Sequence, residues 1–298
     1  MKNNKTHQDI IESASVTSLM RYLLSNSSNK VKNPDFYGQY FVNGKWEKYL
    51  EKPEQSRKEM QEKLPGCLYY HLIRTLKFDE SLEKWITHNP NSQVIILGAG
   101  FDSRFVRFKE ILDQQNISIY EFDLEAMVQF KKDKIIENKI APNNAFFQCA
   151  CNFNENNLFE IFFKADIDSE RNTLVLLEGV TYFLTESNIQ DSLSDLKRYF
   201  QSKLQITLDY AYRDYIEGDL NFYGAKELYN VLCELDEPHY FGLNFEESES
   251  YFLTKGYKTL ENLSAMMLES KYLRDSFGTS VGLPHVFNAM IDIVKIEQ

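Results

Sequence analysis

The chain has 298 residues, with 33 Lys+Arg against 44 Asp+Glu and a formal net charge of −11. Its 43% hydrophobic and 26% charged residues suit one large globular domain that buries a core without staples, and the acidic balance disfavours nucleic-acid binding, which needs a cationic footprint. No apolar run approaches the roughly 18 residues of a spanning helix, and the segment MKNNKTHQDIIESASVTSLM lacks an apolar signal core, so the expectation is a cytoplasmic protein without membrane association.

The first 90 residues read as helical. Ile10, Ile11, Val16, Leu19 and Leu23, then Leu68, Leu72, Ile73, Leu76 and Leu82, recur mostly three or four positions apart, the spacing of one helix face. Ser25 to Asn33 is a polar break between two such segments. Near Asn89-Pro90-Asn91-Ser92 the composition shifts, and strand and helix patterns alternate from there. Strands are predicted at Gln93–Leu97, Ser118–Asp123, Ala145–Ala150, Asn172–Leu177 and Leu204–Leu208, with two more at Tyr257–Leu260 and Val286–Ile296. Helix-length stretches separate them at Arg104–Gln115, Leu124–Asn138, Glu186–Phe200 and Leu263–Arg274. Continuous apolar strands alternating with helices indicate a mostly parallel, doubly wound α/β sheet covered on both faces. The expected organisation is one domain over 1–298, with a helical cap over 1–90, an α/β core over 91–298, and a helical insertion over 210–256, after the fifth strand.

The first predicted strand ends in Gly98-Ala99-Gly100, a glycine turn that lets a nucleotide-like ligand approach the backbone. GxG alone is weak evidence, but this one follows an apolar strand and precedes a helix. Asp123 ends the second strand, 23 positions after Gly100. There it is placed to accept both hydroxyls of a ribose, or to cap the helix that starts at Leu124. A dinucleotide fingerprint fits poorly, because its third small position is Ser103 and Asp102 would repel a pyrophosphate at the helix N-terminus. S-adenosylmethionine carries an ammonium and a sulfonium with no phosphate, and suits an acid-bearing turn.

These residues belong to a longer pattern. Leu97 to Phe108, LGAGFDSRFVRF, resembles the glycine motif of the leucine carboxyl methyltransferase family. Arg74-Thr75 with Phe78-Asp79 resembles that family's motif before the first strand. Tyr120 to Asp123 with Lys131 and Lys132 resembles its acid-and-lysine motif, and Glu178 to Leu184, EGVTYFL, its motif after the fourth strand. The resemblance implies a Rossmann-like class I methyltransferase fold using S-adenosylmethionine, with a small-molecule or peptide carboxylate as acceptor.

The resemblance also implies roles. Arg74 would grip the carboxylate of the cofactor's methionyl part, its fork suiting a bidentate pair. Gly98 and Gly100 would line the methionyl and ribose path, Asp123 would hold the ribose, and Glu178 would face the ammonium or the acceptor. Asp102 would organise the turn, and Arg104 and Arg107 would pair with neighbouring acids. The family's Asp-Leu pair beside the adenine aligns here with Asn152-Phe153. The Asn152 amide oxygen and the Phe153 backbone N–H would serve instead.

Tyr182, Tyr210 and Tyr212 are candidates for the acceptor pocket, the last two expected to follow the fifth strand at its rim. Cys149 and Cys151 form a CxC without a second ligand pair, so no metal site is expected. The five histidines show no ligand spacing, although His71 shares a helix face with Arg74. A carboxylate acceptor is ionised at neutral pH and needs no general base, whereas a hydroxyl needs one. With no motif-placed base, the expected reaction is O-methylation of a carboxylate. The alternatives are O-methylation of a hydroxyl and a non-catalytic module that binds the cofactor.

Overall fold

The computed structural model describes residues 7–27, 30–152 and 157–297. Three helices precede the first strand: α1 (His7–Ser25), α2 (Pro53–Lys63) and α3 (Cys67–His88). Two 3-10 helices, Phe36–Phe41 and Gly44–Leu50, link α1 to α2. There follow β1 (Gln93–Leu97), α4 (Arg104–Arg107), α5 (Lys109–Gln114), β2 (Ser118–Asp123), α6 (Glu125–Glu137), β3 (Phe146–Ala150), α7 (Leu158–Lys164), β4 (Thr173–Leu177) and α8 (Glu186–Tyr199). The chain ends with β5 (Leu204–Tyr212), α9 (Arg213–Ile216), α10 (Ala225–Glu234), β6 (Gly242–Leu243), α11 (Phe245–Thr254), β7 (Tyr257–Ser264), α12 (Ala265–Tyr272) and β8 (Asn288–Lys295).

One sheet carries all the strands, in the order β3-β2-β1-β4-β5-β8-β7, with the short β6 beside the end of β5. β1 to β5 run parallel, and β8 enters antiparallel between β5 and β7. Every residue of β1 and β4 is buried, as expected of parallel strands covered on both faces. The two faces have separate cores. Val94, Ile96, Ile119, Leu174 and Leu176 pack with α1 and α3 residues such as Leu19, Leu23, Leu72 and Ile73. Ile95, Leu97, Phe122, Val175 and Leu177 pack on the opposite side with Phe162, Leu193 and Phe252. The first 90 residues therefore share a core with the sheet.

A buried ion pair fastens α3 to that sheet. Lys77 is fully buried (0% exposed) and donates to Asp292 on β8 at 2.5 Å. Thr207 and Ser81 also donate to that carboxylate.

Several boundaries differ from the sequence reading. The helix expected over Arg104–Gln115 is broken at Phe108 into α4 and α5, because Asp79 of α3 holds both arginines of α4 while α5 turns to bury Leu112. β5 continues to Tyr212 instead of ending at Leu208, since β8 pairs with it from Gln205 through Ala211. The segment 210–256 does hold α9, α10 and α11, and also the two-residue β6. β7 extends to Ser264, so the last helix begins at Ala265. Among the described residues no helix is long and apolar enough to cross a membrane, and no cluster of His, Cys, Asp and Glu is arranged to hold a metal.

Candidate functional site

Parallel sheets bind ligands in the crevice beyond the carboxyl ends of their strands, where connections leave toward opposite faces. Here β1 and β4 are neighbours whose following connections diverge, and the glycine turn after β1 faces the loop after β4. The two glycines of that turn do different work. A Cβ on Gly98 (φ +66°) would lie 2.5 Å from Cγ2 of Val180, so this glycine admits the loop after β4. A Cβ on Gly100 (φ +47°) would meet nothing within 4 Å, so this glycine borders open space. A ligand can approach the backbone there.

Asp123, at the end of β2, reaches into the same turn. Its Oδ2 accepts from the Gly100 N–H at 2.6 Å and its Oδ1 from the Leu124 N–H at 2.7 Å. Burial raises its carboxyl above the usual range, and the two N–H groups pull it back. Each oxygen keeps a lone pair for a further donor. The remaining acid of this strand, Glu121, is occupied by Lys131 at 2.7 Å in the core.

The turn is fixed from beneath by a run of ion pairs. Asp102 accepts from the Arg104 N–H at 2.7 Å and also binds the Arg104 guanidinium. Asp79 on α3 takes Arg104 Nε at 2.8 Å and Arg107 Nη1 at 2.5 Å. Ser103 donates to Asp35, which pairs with Arg21 of α1, and Arg21 donates in turn to the Phe101 carbonyl at 2.7 Å. Asp102, Arg104 and Arg107 thus have the structural parts expected of them.

Arg74 rises from α3 into the gap between β4 and β5. Nε donates to Glu178 at 3.2 Å, Nη1 lies 3.5 Å from Asp209, and Nη2 has no hydrogen-bond partner among the described residues. Glu178 follows β4 and its Oε2 also pairs with Arg104 Nη1 at 2.8 Å. Burial works against its charge, yet Arg104 and Arg74 hold its carboxyl down to about 2. Asp209, fully buried on β5, accepts from the Gly179 N–H at 2.8 Å and from the phenols of Tyr70 (2.9 Å) and Tyr182. Burial raises its carboxyl, against the pull of Arg74, Tyr182 and the Gly179 N–H.

The structure therefore brings Arg74, Gly98, Gly100, Asp123, Glu178 and Tyr182 to one edge of the sheet. Asn152 lies two residues beyond β3 at that edge and is partly buried. Phe153 lies outside the described residues. Tyr210 and Tyr212 lie within β5 and do not follow it, and alternation turns Tyr210 to the face opposite Asp209, where it is fully buried and donates to Asn262. Tyr212 accepts from the Ala265 N–H. His71 spends Nδ1 on the Cys67 carbonyl, within its own helix.

Sequence reasoning did not select Asp209, Tyr70 or His239. Asp209 had a signal, an acid within the otherwise apolar LQITLDY. Tyr70 precedes Arg74 by four positions and so shares its helix face. His239 had none. Its ring lies 5.0 Å from that of Tyr182 and 5.1 Å from that of Phe183.

S-adenosylmethionine fits this edge. Gly100 leaves open space, Asp123 offers acceptors beside it, and Arg74 Nη2 offers a donor without a partner. The Glu178 carboxylate, held ionised between Arg74 and Arg104, would attract the ammonium.

A sequence profile described as leucine carboxyl methyltransferase matches residues 15–197, more than half of the chain. No curated protein matches the chain. Among solved structures, the chain is similar to a protein of Thermobifida fusca YX provisionally named a methyltransferase. Identity is 11% and the TM-score 0.62, over 96% of this chain and 97% of that one. It is equally similar in fold to a DUF574 family protein of Streptomyces avermitilis, at 8% identity and a TM-score of 0.62, over 97% of this chain and 100% of that one. At such identities the likeness carries the fold and the profile carries the family. The chain belongs to the leucine carboxyl methyltransferase family and is a Rossmann-like, S-adenosylmethionine-dependent methyltransferase.

Proposed function

We propose that this chain transfers the methyl group to oxygen, on a small-molecule or peptide acceptor. The observation that carries the reading is the convergence of Gly100, Asp123 and the unpartnered Nη2 of Arg74 at one sheet edge, beside the Glu178 carboxylate. The cofactor supplies an activated methyl on a sulfonium, and the protein's part is alignment. Asp123 accepts from the ribose hydroxyls while the Gly100 and Leu124 N–H groups hold it in place. Arg74 Nη2 binds the methionyl carboxylate, its other nitrogens anchored on Glu178 and Asp209. Glu178, kept ionised by two arginines, receives the ammonium. Asn152 flanks the adenine. Gly98 lets Val180 close against the turn, and this excludes water and sets the donor's position relative to the acceptor.

A carboxylate acceptor is supported by the family's description, and it arrives ionised with no proton to remove. A hydroxyl acceptor is the second reading, supported by the uncharged His239 beside Tyr182, which burial holds down to about 4. Calorimetry with S-adenosylhomocysteine and NAD tests the cofactor assignment, and tighter binding of NAD would overturn it. A labelled-methyl screen tests the transfer. Base-labile product identifies an ester and base-stable product an ether. Binding without transfer to any acceptor would identify a non-catalytic module.

A further inference from the structure

Asp209 lies where the two charged grips of the candidate site meet. It is fully buried on β5, with α3 on one side and the loop after β4 on the other. From α3, the Tyr70 hydroxyl donates to Oδ2 at 2.9 Å and Arg74 Nη1 stands 3.5 Å away. From the loop, the Gly179 N–H donates to Oδ1 at 2.8 Å, the Tyr182 hydroxyl to Oδ2 and the Thr181 hydroxyl to the Asp209 carbonyl. Glu178 stands one residue before Gly179 in that same loop.

We propose that Asp209 is a positioning residue for the amino-acid end of the cofactor: it draws Arg74 off Glu178 and pins the loop that carries Glu178, so that a guanidinium and a carboxylate face one zwitterion without neutralising each other. The inference rests on the methyltransferase reading and deepens it. Asp209 itself is 0% exposed and acts only through these neighbours.

The distances carry the argument. A charge-assisted bond between a cationic nitrogen and a carboxylate ordinarily closes to about 2.7–2.9 Å. Arg74 Nε stands 3.2 Å from Glu178 Oε1, and Nη1 stands 3.5 Å from Asp209 Oδ2. The guanidinium is strung between two carboxylates and closed onto neither. Neighbouring pairs do close: Arg104 Nη1 is 2.8 Å from Glu178 Oε2, and Lys131 is 2.7 Å from Glu121.

Asp209 is held from moving to close its gap by three donors to its carboxylate. Burial and the Asp209 charge raise both phenols well above their ordinary value, so Tyr70 and Tyr182 keep their protons and donate. Their hydroxyls lie 2.7 Å apart and brace each other. Arg74 is confined as well. Its Cζ lies 5.5 Å from the centroid of the Tyr70 ring. It also lies against the Gly179 backbone, where a Cβ would come within 2.9 Å of Nη1 and 3.3 Å of Cζ.

With Asp209 uncharged, Glu178 is the carboxylate left beside Arg74, and the guanidinium closes onto Oε1. A buried cation does not stay unpaired. The fork then turns away from the cofactor's carboxylate, and the oxygen that would meet the ammonium is occupied. Loss of one buried charge therefore weakens both ends of the zwitterion, although Asp209 touches neither.

The deaminated and the decarboxylated analogues of S-adenosylhomocysteine separate the two ends, and 5′-methylthioadenosine lacks both. Asp209→Asn keeps the side chain's shape and an acceptor for the Gly179 N–H. In calorimetry, this variant should bind each of the two analogues about 10-fold more weakly than the parent, and 5′-methylthioadenosine as the parent does. Where Asp209→Asn does not fold, Tyr70→Phe/Tyr182→Phe keeps the charge and unlocks it, and should show the same two losses to a smaller extent. Parental affinity for both analogues would overturn the inference, as would a loss confined to one of them. A loss shared equally by 5′-methylthioadenosine would make Asp209 a general structural residue and overturn it too. Each of these outcomes leaves the methyltransferase reading standing. A parent protein that fails to bind S-adenosylhomocysteine would bring down that reading and this one with it.

Discussion

The backbone N–H of Gly100 donates to Oδ2 of Asp123 at 2.6 Å, so the turn after β1 and the end of β2 are joined before any ligand arrives. Asp123, the proposed ribose acceptor, is thereby held in orientation by the glycine turn itself. Asp123→Ala should abolish this bond together with the two expected ribose bonds. Each charge-assisted bond contributes about 1.5–3 kcal/mol before water compensates, so S-adenosylhomocysteine should bind at least about 10-fold more weakly. Calorimetry on the folded variant decides. Parental affinity would mean that Asp123 serves as a helix cap alone.

Arg74 calls for a gentler substitution. Arg74→Ala would leave the buried Asp209 without its cationic partner and Glu178 with Arg104 alone, a loss of about 3–5 kcal/mol to the fold itself. Arg74→Lys keeps the charge and loses the fork. It should weaken S-adenosylhomocysteine by about 10-fold relative to 5′-methylthioadenosine, which lacks the carboxylate. An unchanged ratio of the two dissociation constants would remove Arg74 from the cofactor site.

The two glycines predict opposite failures. Gly98→Ala places a methyl 2.5 Å from Val180 and should lower Tm, with partial recovery in Gly98→Ala/Val180→Ala. Gly100→Ala has room and should fold with a penalty of about 1–2 kcal/mol for its left-handed backbone, while losing cofactor affinity. Thermal melts with and without S-adenosylhomocysteine separate the two effects. Equal behaviour of both variants would contradict the division of roles.

Lys77→Met should destabilise the protein by about 3–5 kcal/mol, because it strands Asp292 in the core. Lys77→Met/Asp292→Leu should recover most of that loss. Urea unfolding of the two variants gives the comparison. A double variant no better than the single one would show that Thr207 and Ser81 hold Asp292 for a different reason.

Three histidines make the fold acid-sensitive. Burial holds His239 down to about 4 and His285 to about 3, and lowers His71 as well, all from an ordinary value of 6.5. The folded state therefore refuses protons that the unfolded state accepts. Stability is complete above pH 6.5 and falls as pH drops toward 4, with each histidine adding up to about 1.4 kcal/mol per pH unit to the slope. Urea midpoints measured between pH 7.5 and 4.5 should fall, and His239→Gln should flatten the curve. A curve of unchanged slope would mean that His239 titrates normally.

Much of this was legible in the sequence because the signals are local. β1 and β4 are buried on both faces, and their four-residue apolar runs, VIIL and LVLL, say so. The end of β5 was hidden because Asp209 interrupts the apolar pattern, and what sustains the strand there is β8, eighty residues away in the chain. Arg74, Asp123 and Glu178 were visible as motif residues, but their partners were not. Nothing near Arg74 in sequence points to Asp209, 135 positions on. Tyr210 was misplaced because a strand that runs four residues longer turns it away from the rim. His239 was invisible because its place depends on how the loop after α10 packs over Tyr182.

The Tyr70–Asp209 hydrogen bond spans 139 positions, and Arg74 reaches Asp209 across 135. During synthesis α3 emerges long before β5. Until β5 arrives, Arg74 has Glu178 to face but not Asp209, and its Nη1 is left without that carboxylate. Closing so long a loop is also slow. On the proposed role of Arg74, the full cofactor grip is assembled only when the fifth strand has docked. On that reading, loss of β5 would weaken binding just as loss of the glycine turn would.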